Sequence, residues 1–136
     1  MLENKYDISI WQGSTFGLTI TVKNSSNVSQ NIVGQTARMQ IRSTYDANTI
    51  VESMTTANGE IVITDGANGT FHVQLSADRT ANINVDRSVL STITLSSGDK
   101  VKIPRASYVY DLELANNTTV SKIIYGTAYI YGEVTR

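Results

Sequence analysis

The chain has 136 residues, with 11 Lys and Arg against 12 Asp and Glu, one His, one Trp, one Pro and no Cys. This near-neutral charge argues against a nucleic-acid binder that neutralises phosphates, and the lack of Cys excludes thiol catalysis, disulfides and Cys-built zinc sites. A single His excludes a three-His zinc site, and no apolar run approaches the ~20 residues of a membrane-spanning helix. Residues 1–7 contain no apolar h-region, so we expect no secretory signal. We expect no cofactor, no metal ion, no nucleic acid and no membrane.

The composition predicts an all-β domain. Ser (14 residues), Thr (17) and Asn (11) supply turn formers, while Ile (14) and Val (12) favour strands. A chain of this length buries roughly two thirds of its unfolded surface and needs no covalent staple. We therefore predict one antiparallel β-sandwich domain over residues 1–136, with about 8–10 short strands and with residues 1–5 as a candidate flexible arm.

Alternation of apolar and polar residues predicts the strands of the first half, at 7–11, 16–22, 36–42 and 50–54. The second of these shows the clearest alternation. In the third, the apolar side chains take one face of the strand. Arg38 and Arg42 then lie on the outer face, where we expect them to serve as contact residues.

A hairpin and a single helical turn are predicted next. Strands at 61–63 and 70–75 flank the turn residues 65–69, and His72 has the phase of an outward-facing side chain. Ser76 is placed to cap one helical turn that contains Arg79 and Thr80. It is the only helix expected, so helical residues should make up under about a tenth of the chain.

The second half is predicted to contain strands at 89–95, 101–103, 108–114 and about 120–134. Because proline removes a ladder donor, Pro104 is expected at a strand edge or strand end. Asn116 and Asn117 predict a tight turn before the last strand.

Both faces of the last predicted strand carry side chains that favour burial. One face carries Ile124, Gly126, Ala128, Ile130 and Val134, and the other carries Ile123, Tyr125, Thr127, Tyr129, Tyr131 and Glu133. Tyr suits interfaces because its apolar ring ends in a hydrogen-bonding hydroxyl. Three explanations stay open: cover within the domain, contact with a partner, and stacking on sugar rings. Partner contact makes Ile123, Tyr125, Tyr129 and Tyr131 the candidate interface residues.

The apolar faces of the clearest strands define a predicted core. Its members are Phe16, Leu18, Ile20, Met39, Ile41, Phe71, Val73, Tyr110, Leu112 and Ile130.

No set of residues predicts catalysis. Asp111 and Glu113 share a strand face at ~6.6–6.8 Å, near the lower end of the inverting-glycosidase separation, but glycosidase carboxylates flank a cleft from opposite sides. His72 has no Gly-x-Ser-x-Gly nucleophile elbow to accompany it. Residues 65–69 offer oxygen donors for calcium but lack the EF-hand spacing. We expect a protein that is not an enzyme and has no catalytic residue.

Several segments resemble, in order and spacing, a family of small bacteriophage virion proteins. The family comprises the N-terminal domain of siphophage baseplate upper proteins and short stand-alone tail proteins. The segments are QGSTF at 12–16, VGQTARMQIR at 33–42, DGANGTF at 65–71, LSADRTA at 75–81, YVYDLEL at 108–114 and EVTR at 133–136. The chain departs from the family in an additional predicted hairpin at 89–103 and in the absence of the coiled coil and attachment region that follow in baseplate upper proteins.

The resemblance implies an immunoglobulin-like sandwich that acts as a structural part of a phage particle, in the tail, baseplate, neck or decoration. The expected partners are other virion proteins and further copies of the chain in a homo-oligomer. The expected location is the virion, assembled in the host cytoplasm. The alternative is a carbohydrate-binding or adhesin module that contacts the host surface through Trp11 or the tyrosine face, and an enzyme is the third hypothesis.

Overall fold

Two β-sheets pack together in the computed structural model, which describes residues 4–133. The strands in this part of the chain are β1 Ile8–Trp11, β2 Phe16–Thr21, β3 Thr36–Arg42, β4 Glu52–Thr55, β5 Ile61–Asp65, β6 Thr70–Leu75, β7 Leu90–Thr94, β8 Lys100–Ala115 and β9 Val120–Tyr131. The helical elements are a 3₁₀ turn, Gly66–Asn68, and one α-helix, α1 Ala77–Ala81. Helical residues make up 6% of the chain, which confirms the prediction of an all-β sandwich.

The larger sheet has the strand order β1-β9-β8-β3-β4, and β7 pairs with β8 outside this order. Its pairs are antiparallel except for β1, which lies parallel to β9. The smaller sheet has the antiparallel order β2-β6-β5. Neither helix in residues 4–133 is long and apolar enough to cross a membrane.

The core lies between the two sheets, where alternation brings the apolar face of each strand inward. The ten predicted core residues all belong to it. Seven are buried, namely Met39, Ile41, Phe71, Val73, Tyr110, Leu112 and Ile130. Phe16, Leu18 and Ile20 are partly buried and pack against the others. The phase that the sequence assigns to the clearest strands is therefore confirmed.

Helix α1 begins at the predicted cap and ties the two sheets together. The Ser76 hydroxyl accepts a hydrogen bond from the Arg79 N–H (3.3 Å). The buried Thr80 hydroxyl donates to the Ser14 carbonyl (2.8 Å). The Arg79 guanidinium lies between the carboxylates of Glu52 and Glu60, and its hydrogen bond to Glu52 raises the pKa of Arg79 above the usual arginine value. Helix α1 thus contacts the turn between β1 and β2, strand β4 and the residue that precedes β5.

Pro104 does not end a strand, so of the two predicted positions, a strand edge and a strand end, the strand end is wrong. Pro104 lies inside β8, where the ladder with β7 ends at the Leu90–Pro104 pair and the ladder with β9 begins at the Arg105–Tyr131 pair. The Pro104 carbonyl still accepts a hydrogen bond from the Gly132 N–H (2.8 Å). The missing N–H falls at the boundary between the two ladders, where neither ladder needs a donor, so the strand continues through the proline. The two strands predicted at 101–103 and 108–114 are therefore one.

A β-bulge in β9 changes the predicted face of Ile123. Leu112 pairs with Ile124, but the next residue, Glu113, pairs with Lys122, so Ile123 is the extra residue. Ile123 packs against the core, and Lys122 takes the outer position that strict alternation gives to Ile123. The prediction that Ile123 shares a face with the tyrosines of β9 is therefore wrong.

The segment before β1 is hydrogen-bonded to β9. The Tyr125 N–H donates to the Asn4 carbonyl (3.3 Å), and the Tyr6 N–H donates to the Tyr125 carbonyl (2.8 Å). The hydroxyl of Tyr110 donates to the Tyr6 carbonyl, and burial raises the pKa of this phenol above its usual range. Residues 1–3 of the candidate flexible arm, and Val134 with the last two residues of the EVTR segment, lie outside the described residues.

We expect truncation of Leu112 to Ala to lower the free energy of unfolding by about 2–5 kcal/mol, because the change leaves a cavity in the core. The matched control is Leu90→Ala, since Leu90 is 52% exposed. This control should change stability by less than about 0.5 kcal/mol. Urea denaturation of the dilute chain measures both values, and a loss below about 1 kcal/mol for Leu112→Ala would contradict the core assignment.

Candidate functional site: the outer face of the large sheet

The outer face of the large sheet is not covered by the smaller sheet, which packs on the opposite face. The ladder registers place Trp11, Tyr131 and Arg105 in one row across β1, β9 and β8. Tyr129 lies in the next row. We call these four side chains the aromatic patch.

The aromatic patch has a defined geometry. The ring centroids of Trp11 and Tyr131 are 4.7 Å apart, with 22° between the ring planes. The guanidinium carbon of Arg105 lies 4.7 Å from the centroid of the Tyr129 ring. An exposed cation–π contact of this kind contributes about 0.5–1 kcal/mol. The rings thus contact one another or a cation, while Trp11 is still 42% exposed.

Beside the aromatic patch, the same face is polar. The Arg38 Nε donates to the Glu113 carboxylate (2.8 Å), and Lys122 pairs with Asp111. A groove of about 310 Å³ lies among Arg38, Gln40, Asp111 and Glu113. Because both ion pairs are partly exposed, each is worth at most about 1 kcal/mol to stability. They form a polar border on the same face, separated from the rings of the aromatic patch by the row of Val109 and Thr127.

The structure brings most of the predicted contact residues to this one face. Tyr125, Tyr129 and Tyr131 are half-buried on β9, and the side chains of Arg38 and Arg42 reach the same face from β3. Arg42 is bound within the chain, because its guanidinium donates to the Ala47 carbonyl (2.7 Å) and to the Gln40 side chain (3.0 Å). Ile123 does not belong to this face, because of the bulge described above.

Arg105 is the patch residue that the sequence pattern did not single out. Arg105 follows Pro104, where the sequence predicts the end of a strand, so the alternation pattern does not predict which face of the sheet Arg105 takes. The sequence suggests Trp11 only as a platform for sugar binding, although its alternation with Ile8 and Ile10 already predicts an outward side chain. Arg105 and Trp11 come together only through the order of the strands in the sheet, and alternation along a single strand does not reveal that order.

The residues weighed for catalysis or metal binding have structural partners. His72 shares a hydrogen bond with the Thr19 hydroxyl (2.9 Å), and Asp111 and Glu113 are the ion-paired carboxylates of the polar border. The Asp65 carboxylate accepts a hydrogen bond from Asn68 within the turn (2.9 Å). Within residues 4–133, no group of three or more His, Asp or Glu side chains is arranged to hold a metal ion.

No family model matches the chain, and no curated protein sequence matches it. The chemistry of the outer face is that of a contact surface. It offers oriented aromatic rings, a cation stacked on one of them, and a border of hydrated ion pairs. Such a surface can exclude water from a partner and hydrogen-bond at its rim.

We expect Tyr131→Ala to shift the fluorescence of Trp11 to longer wavelength, because the substitution removes the ring that shields one face of the indole. Trp11 is the only Trp of the chain, so the spectrum has a single source. The control is Tyr45→Ala, since Tyr45 is 64% exposed and lies outside the aromatic patch. Identical emission maxima for the parent and the Tyr131 variant would contradict the stacked geometry.

Proposed function

We propose that the chain is a non-enzymatic structural component of a phage particle, in the tail, baseplate, neck or decoration, and that it acts as a repeated subunit. Its partners are other virion proteins and further copies of itself, and its location is the virion, after assembly in the host cytoplasm. The resemblance of segments 12–16 through 133–136 to small virion proteins supports this proposal. An immunoglobulin-like relationship of the sandwich is part of the same proposal.

The observation that carries the contact role is the aromatic patch. Trp, Tyr and Arg are the residue types enriched among the few that dominate binding energy in protein interfaces. Here Trp11, Tyr131 and Arg105 lie side by side on the sheet face opposite the smaller sheet, with Trp11 42% exposed and the other two half-buried. A sheet holds its side chains in fixed rows, so little conformational entropy is lost when a partner covers them.

The surroundings of the aromatic patch also support an interface. Protein contacts commonly combine a dry centre with a polar, hydrated rim. The Arg38–Glu113 and Lys122–Asp111 pairs provide such polar groups on the same face, beyond the row of Val109 and Thr127. Rings of identical subunits form when one surface of each copy meets a different surface of the next and the rotation closes. A chain with one exposed patch and several open sheet edges has the surfaces for that arrangement.

A second candidate function is carbohydrate binding, and the exposed indole of Trp11 favours it. One face of the indole already stacks on Tyr131, so a sugar ring would have to use the other face. Titration of the dilute chain with a panel of glycans, followed by Trp11 fluorescence, separates the two functions. A saturable change supports the sugar module, and an unchanged spectrum supports the structural role.

We expect the double variant Tyr129→Ser, Tyr131→Ser to fold but to enter phage particles at reduced occupancy. Losing such an aromatic contact costs about 2 kcal/mol or more in binding, which is roughly a thirtyfold loss of affinity. The control is Tyr45→Ser, which removes an exposed ring outside the aromatic patch. Occupancy is measured by quantitative mass spectrometry of purified particles that carry each variant.

Full occupancy of a well-folded double variant would show that these tyrosines are not the contact. Failure of the double variant to fold would show that the domain itself depends on this face. In that case Arg105→Gln, which removes the stacked cation but leaves the rings, tests the same surface with less disturbance.

A further inference from the structure

The β7–β8 hairpin, residues 89–104, is a two-stranded extension of the large sheet. β7 pairs with β8 alone, and Val89, Leu90 and Leu95 are between 43% and 54% exposed. An isolated two-stranded hairpin is at best marginally stable in water. The hairpin is nevertheless held firmly at its base, where Arg87 donates to the Glu133 carbonyl (2.6 Å) and to the Gln12 side chain (2.9 Å). It is therefore presented from a fixed base with little cover of its own.

The two faces of the β7–β8 hairpin differ in chemistry. The register pairs Ile93 with Val101 and Ser91 with Ile103 on one face, which is mainly apolar. The other face has the exposed pairs Thr92–Lys102 and Thr94–Lys100, which are basic, and the apolar pair Leu90–Pro104 at its base. An amphipathic pair of strands is the pattern of a sheet that covers a core on one side and meets water on the other. No such core lies within the hairpin itself.

The outer edge of β7 is open for pairing. The Leu95 N–H donates to the Asp99 carbonyl (2.8 Å), which makes this a hydrogen-bonded pair of the hairpin. Because such pairs alternate, Ile93 and Ser91 also bond to β8, while the backbone groups of Thr92 and Thr94 point away from it. An open row of this kind is a template for strand addition.

Strand β5 has the matching open edge in the small sheet. The Gln74 N–H donates to the Glu60 carbonyl (2.8 Å), so by the same alternation the backbone groups of Ile61 and Ile63 point away from β6. In residues 4–133, β5 pairs with no strand other than β6. Beside this edge runs an open, mainly apolar groove of about 450 Å³, lined by Gln35, Thr36, Thr56, Ala57, Gly59 and the residues 61–63.

We propose that the β7–β8 hairpin of one copy adds to β5 of the next copy, which extends the small sheet from three strands to five. This inference rests on the proposed function, since it requires the chain to be a repeated subunit. The apolar face with Ile93, Val101 and Ile103 then covers the groove. The face with Thr92 and Lys102 continues the polar outer face of the small sheet.

Charge favours a second copy as the occupant. The hairpin carries Lys100 and Lys102 against a single acid, Asp99. β5 carries Asp65 and no base, while Glu60 before it is already paired with Arg79. Asp65 is exposed and makes no ion pair within the described part of the chain, so a basic strand pair beside it gains a partner. The contact joins two different surfaces, so it propagates into a ring or a chain of subunits.

Thiol cross-linking tests this contact directly, because the chain contains no Cys. Full-length Val62→Cys and full-length Thr92→Cys, both at exposed positions of the faces that would become continuous, are mixed at millimolar concentration with a short bismaleimide. The matched control mixes Val62→Cys with Ser25→Cys, which is exposed in a different loop. We expect the Val62–Thr92 pair to give at least about tenfold more mixed dimer, since contact raises the effective thiol concentration. A chain that carries both cysteines should give a ladder of higher species.

Mixed dimer at the level of the control pair would overturn the proposal. So would a yield from Thr92→Cys alone that equals the mixed yield, because it would show two hairpins in contact with each other. The occupancy of the tyrosine double variant in phage particles distinguishes failure of the hairpin contact from failure of the proposed function. If Tyr129→Ser, Tyr131→Ser lowers occupancy while the cross-link is absent, the structural role stands and the hairpin contact alone is wrong.

Discussion

The alternation of side chains along β8 is the constraint on which the arrangement of both sheets depends. β8 pairs with β9 and β3 in the sandwich and with β7 in the hairpin, so its phase sets the face that each neighbour presents. Burial of Tyr110 and Leu112 sends Asp111 and Arg105 to the outer face. The same alternation continues through Pro104, and it places the apolar side chains of the hairpin on the Arg105 side. One buried stretch thereby determines the composition of two exposed surfaces.

The unequal size of the two sheets leaves the outer face of the larger sheet without a covering sheet. Three strands cover the inner face of the larger sheet and supply the core residues Phe71 and Val73. On the outer face, which the smaller sheet does not cover, Trp11 and Tyr131 stack on each other. The aromatic patch and the apolar face of the β7–β8 hairpin adjoin along β8, where Ile103 and Arg105 share a side, but the first is aromatic and cationic and the second is apolar beside an open edge. A subunit that must meet more than one neighbour needs two such surfaces.

The sequence predicted the fold where alternation was strict and missed what depends on pairing. β2, β3 and β6 alternate without interruption, so their core residues and the Ser76 cap followed from residue types alone. The bulge at Ile123 arises from register with β8, and register is a property of two strands. The sequence predicted a strand end at Pro104, because whether a strand can contain a proline depends on where its ladders with two other strands begin and end. Individual members of the outer face were predicted, but their assembly into one surface required the strand order.

The central claim is that the outer face of the large sheet becomes covered when the chain takes its place in an assembly. Hydroxyl-radical footprinting of the dilute chain, compared with the same chain inside intact particles, measures this cover residue by residue. We predict that Trp11, Tyr129 and Tyr131 react in the dilute chain and are protected in the particle, relative to the change at Val33, which is 68% exposed beside the β5–β6 turn of the smaller sheet. Equal reactivity of Trp11, Tyr129 and Tyr131 in both states would contradict it.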